Sequence, residues 1–157
     1  MSEWPASRHS VDELTAQVGV ERQTALRALH ALEYALAAPA PRRHRTWLHR
    51  VMAALDVLHA ALETQVPKAG GPVRLLDEIA LCHPEYLPQI VRLREELLDL
   101  TIAVASLREK IEADPAIEID PTEVRTRLST VTKQFREYQA READLVYEAI
   151  DQNLEES

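Results

Sequence analysis

DPTEVRTRLSTVTKQFREYQAREADLVYEAIDQNL, residues Asp120 to Leu154, is the stretch whose reading decides the fold. Within it Val124, Leu128, Val131, Phe135, Tyr138, Glu142, Leu145 and Ala149 recur at alternating steps of four and three. A helix turns once in about 3.6 residues, so this spacing stacks them all on one stripe. Six of the eight are apolar, and Tyr138 and Glu142 interrupt the stripe one turn apart. Either the helix carries a fault in its core, or that layer of the fold is polar by design. The start of the helix is well signalled. Asp120 is a capping acid, Pro121 suits the first helical position, and Glu123 follows in the first turn.

Working outward, the preceding segment shows the same spacing without a polar intruder: Ile90, Leu93, Leu97, Leu100, Val104, Leu107 and Ile111. This predicts a third long helix ending near Glu112, with Pro88 among its first residues and a loop from Asp114 to Ile119. A second long helix is expected from about Arg43 to Val66, with a seam of Leu48, Val51, Leu55, Leu58, Leu62 and Gln65. Pro67 and the Gly70, Gly71, Pro72 turn stop it, and VRLLDEIALC predicts a short helix before Pro84. The first long helix is expected to begin near Val11, where Ser10 and Glu13 read as a capping box. Leu14, Val18, Ala25, Leu29, Leu32 and Leu36 give its apolar side, Gly19 is a candidate break or bend, and the APAP stretch at 38–41 ends it. The expected architecture is all-α. Residues 1–10 form a leader, 11–154 an antiparallel four-helix bundle with a short extra helix between its second and third members, and 155–157 a tail.

Composition supports that class and narrows the function. A chain of 157 residues suits one domain, glycine is scarce at 3, and aromatics are 4 %. The formal charge of -8 argues against general nucleic-acid binding, which needs a basic face. Cys82 is the single cysteine, so no internal disulfide forms, and a half-buried structural thiol is expected. No run has the length and apolarity of a membrane span, and the start MSEWPASRHSVDE lacks the pattern of a signal peptide. A cytoplasmic protein is the expectation.

In an antiparallel hairpin, residues equidistant from the loop share a height, at a rise of about 1.5 Å each. Counted from the loop between the last two long helices, Leu97 and Tyr138 fall in one layer. Gln65, counted from the start of its own helix, falls within a turn or two of them. With Glu142 one turn further on, these positions converge where bundles of this kind place internal metal sites.

The runs LLDEIALCHPEYLPQIVRLREELLDL and FREYQAREADLVYEAI, and more weakly WLHRVMAALDVLHAALETQV, resemble bacterial hemerythrin-like domains over roughly residues 25 to 154. The resemblance implies a four-helix bundle with an internal di-iron centre of histidines and carboxylates, used in oxygen binding or in redox and gas sensing. It also places the ligands. A histidine near the end of the second helix corresponds to Gln65, and an acid one turn on falls at Ala69. The histidine of the third helix corresponds to Leu97 in LREEL, and the His and Glu pair of the fourth becomes Tyr138 and Glu142. Glu142 alone is retained. A di-iron site needs several nitrogen and oxygen ligands held together, so no metal or other cofactor is expected.

Glu142, Tyr138 and Gln65 are then remnants, with Glu142 either hydrogen-bonded to the other two or turned to the bundle edge. His59 and Glu63, four residues apart on one helical face, have the geometry of half a metal site and equally that of a flanking ion pair. His30, with Glu33 nearby, reads as an edge histidine, and His83 before Pro84 as a turn residue. Arg42, Arg43, Arg45 and Arg50, with His44 and His49, make a basic corner at the start of the second helix. Cations there oppose the helix dipole, so the corner offers a contact for an acidic partner or a phosphate, or is simply solvated. The expected function is non-enzymatic: a hemerythrin-like bundle without its di-iron site, serving as a scaffold, interaction or dimerisation module. The alternative is an iron-binding redox, oxygen or gas sensor with an altered ligand set.

Overall fold

The computed structural model describes residues 8–38, 44–71, 74–112 and 120–156, with side chains for 12–38, 45–71, 74–112 and 120–152. Five α-helices account for nearly all of it, and the described residues contain no strand. These are α1 (Arg8–Ala37), α2 (His44–Gln65), α3 (Leu75–Cys82), α4 (Leu87–Glu112) and α5 (Pro121–Glu156), with a short 3-10 turn at Pro84–Tyr86 ahead of α4. α1 packs along α2 and touches α5, α2 packs on α4, and α4 packs on α5. The short α3 lies against α1, α4 and α5.

The periodicities account for what is buried. Every residue of the α4 seam from Ile90 to Ile111 is buried, and Thr101 joins it by returning its hydroxyl to the Leu97 carbonyl at 2.8 Å. On α5, Val124, Leu128, Val131, Phe135, Tyr138, Leu145 and Ala149 are buried, and on α2 Val51, Leu55, Leu58 and Leu62 are. Each fully buried leucine contributes about 1.5–3 kcal/mol relative to exposure, so these stripes, rather than the surface ion pairs, hold the helices together. Asp120 caps α5 as expected, accepting the Thr122 backbone N–H at 3.0 Å.

Several boundaries and details differ from the sequence reading. α1 begins at Arg8 rather than Val11, so Ser10 lies inside the helix and not at its cap, while residues 1–7 of the expected leader lie outside the described residues. α5 continues to Glu156, which takes in most of the expected tail. α1 runs unbroken through Gly19, where an added Cβ would meet no atom within 4 Å. The helix is carried past that glycine by the packing on its far side. Leu48 is only half-buried, because its neighbour Trp47 takes the inward position.

Trp47 belongs to a junction that closes one end of the molecule. α1 ends without a basic residue in its last turn, leaving its final carbonyls without intrahelical donors. Trp47 Nε1 donates to the Ala35 carbonyl at 2.9 Å. Arg125 of α5 supplies the rest: its Nε donates to the Leu36 carbonyl at 3.0 Å and its Nη2 to the Ala38 carbonyl at 2.9 Å. Its guanidinium carbon stands 5.0 Å from the centre of the Trp47 ring, within cation–π range. One arginine thus ties the end of α1 to the starts of α2 and α5. Arg125→Ala is expected to lower the unfolding free energy by about 1–3 kcal/mol in urea titrations. Arg125→Lys should recover less than half of that, since an ammonium cannot span two carbonyls while lying flat on a ring.

Candidate functional site

Glu142 sits on the inward stripe of α5, and its side chain retains only 13 % of its exposure. A carboxylate in that position must be paired, protonated or hydrogen-bonded. Tyr138, one turn earlier, donates its hydroxyl to Glu142 Oε2 at 2.9 Å. Arg22 reaches across from α1 and places Nη2 3.4 Å from Oε1. Tyr138 is thus the partner expected, whereas the second partner of Glu142 is Arg22 and not Gln65. A glutamine at the end of α2 offers a dipole, and the guanidinium offers a full charge to the desolvated oxygen.

Burial pushes the Tyr138 phenol far above its ordinary range, and the charge of Glu142 together with the hydrogen bond to it push the same way. Arg74 opposes the shift and Glu96 adds a little to it. In this arrangement Tyr138 is a neutral donor to the Glu142 carboxylate. Stacked against Phe135 with ring centres 6.2 Å apart, it is held in one orientation.

Tyr138, Glu142, Gln65 and Leu97 line one cleft together with Arg22. The cleft encloses about 40 Å³, room for a few water molecules. Its rim is built of ion pairs. Arg74, just before α3, pairs with Glu21 of α1 and donates Nη1 to the Thr64 carbonyl of α2 at 3.2 Å. Asp77 accepts the Arg74 backbone N–H at 3.0 Å, as an acid at the third position of a helix does, and pairs through its other oxygen with Arg94 of α4. Glu21, Asp77 and Glu142 are thereby matched by Arg74, Arg94 and Arg22. The Nε atoms of Arg22 and Arg94 are buried without a hydrogen-bond acceptor.

The acids of this layer are each matched by a guanidinium. A guanidinium stays protonated and has no lone pair for a metal, and each acid at the rim already holds one. Among the described residues, no three His, Cys, Asp or Glu side chains come together in a group that could hold a metal ion. Glu142 and Tyr138 stay together, but His59 and Glu63 do not join them. His59 Nε2 lies 3.6 Å from Glu63 Oε1, and Glu63 is more than half exposed. Arg108 of α4 reaches His59 Nδ1 at 3.1 Å. An arginine can only donate, so Nδ1 accepts and the ring proton is on Nε2, facing Glu63. The pair is a flanking one, extended by Arg108 and by Asp56, which accepts from Arg108 Nε at 2.6 Å.

Of the remaining candidates, His30 is exposed, and Glu33 beside it pairs with Arg136 of α5. His83 is a turn residue as expected, between α3 and the 3-10 turn, but it is fully buried, with its ring edge-on to Tyr86 at 6.1 Å. Cys82 is more deeply buried than expected, at 3 % exposure, and burial, then the nearby charge of Glu78, raises its thiol above the ordinary range. Burial and the raised thiol are the features of a structural cysteine. In the basic corner Arg45, His49 and Arg50 are exposed, whereas Arg42 and Arg43 lie outside the described residues, as does the side chain of His44.

Sequence reasoning missed Glu21, Arg22, Arg74, Asp77 and Arg94. A signal was present for the first two: the α1 stripe runs Leu14, Val18, then Ala25, and the skipped position between them holds Glu21 and Arg22. The missing apolar residue on α1 lies at the height of the polar interruption on α5. Compared with family models, with curated proteins and with solved structures, the chain gives no match.

The Tyr138–Glu142 contact can be measured as a coupling. Glu142→Leu leaves the phenol without an acceptor and is expected to cost about 1–3 kcal/mol in urea unfolding. Adding Tyr138→Phe should recover at least about 1 kcal/mol of this, while strictly additive effects would show that the contact is not formed. A second expectation follows from the raised phenol. A group whose folded pKa is raised contributes stability that is complete below its unfolded value, about 10 for tyrosine, and is lost as pH rises beyond it. Between pH ~9.5 and ~11 the wild-type protein should therefore lose more stability than Tyr138→Phe measured alongside it.

Proposed function

We propose that this chain is a hemerythrin-like, antiparallel four-helix bundle whose di-iron site has been replaced by an ion-paired layer, and that it works as a non-enzymatic interaction module. The antiparallel arrangement is supported by the order of contacts between α1 and α5, where Leu36, Glu33 and Arg22 meet Arg125, Arg136 and Glu142 in turn. Contacts between α2 and α4 run the same way, Asp56 meeting Arg108 while Gln65 shares the cleft with Leu97. One observation carries the loss of the site: the single retained ligand, Glu142, is held by Arg22 and Tyr138. A cation fixed on the protein neutralises that carboxylate, and the other positions of the layer hold Gln65 and Leu97, which offer iron an amide or nothing.

Removing the metal leaves a rigid helical body with surfaces to offer. The exposed Arg45 and Arg50 suit an acidic partner, and exposed apolar side chains on α4 suit another helix. The reading is tested by producing the protein in iron-rich medium, desalting it, and measuring bound metal and the visible spectrum. Iron should be far below one atom per chain. Near-stoichiometric iron that survives desalting, or an iron–tyrosinate band lost in Glu142→Leu, would overturn it in favour of a sensor with an altered ligand set.

A further inference from the structure

The cleft beside Glu142 has donors that the chain leaves without acceptors. Its acids are already engaged. Both oxygens of Glu142 are taken, Oε2 by the Tyr138 hydroxyl at 2.9 Å and Oε1 by Arg22 Nη2 at 3.4 Å. At the rim both oxygens of Asp77 are taken too, by the Arg74 backbone N–H and by Arg94, and Glu21 is held by Arg74. The donors are in a different position. Arg22 and Arg94 line the cleft from α1 and α4, and each has a buried Nε without a hydrogen-bond acceptor. Most buried N–H groups in folded proteins have one, because an unmade bond there carries the whole cost of desolvation. Gln65 adds a third group. It lines the same cleft from α2, is 9 % exposed, and its amide has no hydrogen-bond partner among the described residues.

A guanidinium cannot accept, so whatever satisfies these atoms must bring acceptors of its own. Charge and size narrow the class. Glu21, Asp77 and Glu142 are balanced by Arg74, Arg94 and Arg22, so the layer is neutral as it stands. Arg22 lies 3.4 Å from its carboxylate, against the ~2.7–2.9 Å of a full charge-assisted bond, and keeps attraction for a second anion. One negative charge is therefore admitted. A dianion would face three carboxylates with no cation left for its second charge. The volume of about 40 Å³ suits a group of carboxylate size.

We infer that this cleft is a binding site for a small monovalent oxyanion, a carboxylate or a group of its size and charge, held by Nε of Arg22, Nε of Arg94 and the side-chain amide of Gln65. The three donors come from α1, α4 and α2, so one ligand links three helices across the layer. Both arginines also serve acids and give the ligand only part of their charge, which places Kd at about 1–10 mM. The site stands on the cleft's own geometry and does not require that the layer replaces a metal centre.

Formate is the probe, titrated into the folded protein at constant ionic strength against sodium gluconate, whose anion is too large for the cleft. In proton–nitrogen correlation spectra the Nε–H signals of Arg22 and Arg94 and the amide of Gln65 should shift along one saturating curve. Those of the exposed Arg45 and Arg50 should not. Gln65→Leu puts an apolar residue on the α2 seam, should keep the fold, and is expected to weaken formate binding at least about fivefold. Sulfate should do no better than gluconate. Signals that fail to saturate by about 100 mM formate, far above the expected Kd, would overturn the site and leave water as the acceptor. Shifts reproduced by gluconate, binding untouched by Gln65→Leu, or sulfate that binds as tightly as formate would overturn it equally. Metal content is read on the same samples, and iron-free protein that does not bind formate sinks the anion site alone.

Discussion

The structure depends on one constraint: a carboxylate placed on the core stripe of α5 cannot be left uncompensated. Desolvating a charge costs several kcal/mol unless partners replace the lost water. Glu142 meets this requirement with a phenol from its own helix and a guanidinium from α1, 3.4 Å away. The requirement then propagates. Arg22 enters the cleft only because α1 carries a charged gap in its apolar side, and the space opened there is rimmed by Arg74 and Arg94 with their acids. A single polar interruption on one helix thus determines a layer spanning α1, α2, α4 and α5, with α3 capped at its edge by Asp77.

Ion pairs of this kind add little net stability, since attraction is offset by desolvation. Their contribution is registration. Sliding α1 along α5 by one turn would strip Glu142 of Arg22, while the leucine stripes alone would tolerate the shift with modest loss. At the other end of the same helices the Arg125 and Trp47 junction fixes the height again. The two polar contacts bracket the apolar core and leave the packing one register.

The same economy of charge separates the inside of α4 from its outside. Arg94, Glu96 and Arg108 are bound within the chain, whereas Arg92, Glu95 and Asp99 are exposed.

The sequence by itself determined the helices, their inward faces and the existence of a polar layer. These follow from residue spacing, and spacing is a local property: the α4 seam and the Asp120 cap were legible because neighbours a few residues away specify them. The gap in the α1 stripe was legible too, though only in comparison with α5. What tertiary structure alone decided was which charge meets which. Arg22 and Glu142 are separated by 120 residues, and Arg125 and Leu36 by 89, with no local signal to pair them. The burial of His83 was likewise hidden, since a turn residue is covered or exposed according to what folds over it. Periodicity fixes the face on which a side chain stands, and only the packing of distant helices fixes what stands opposite.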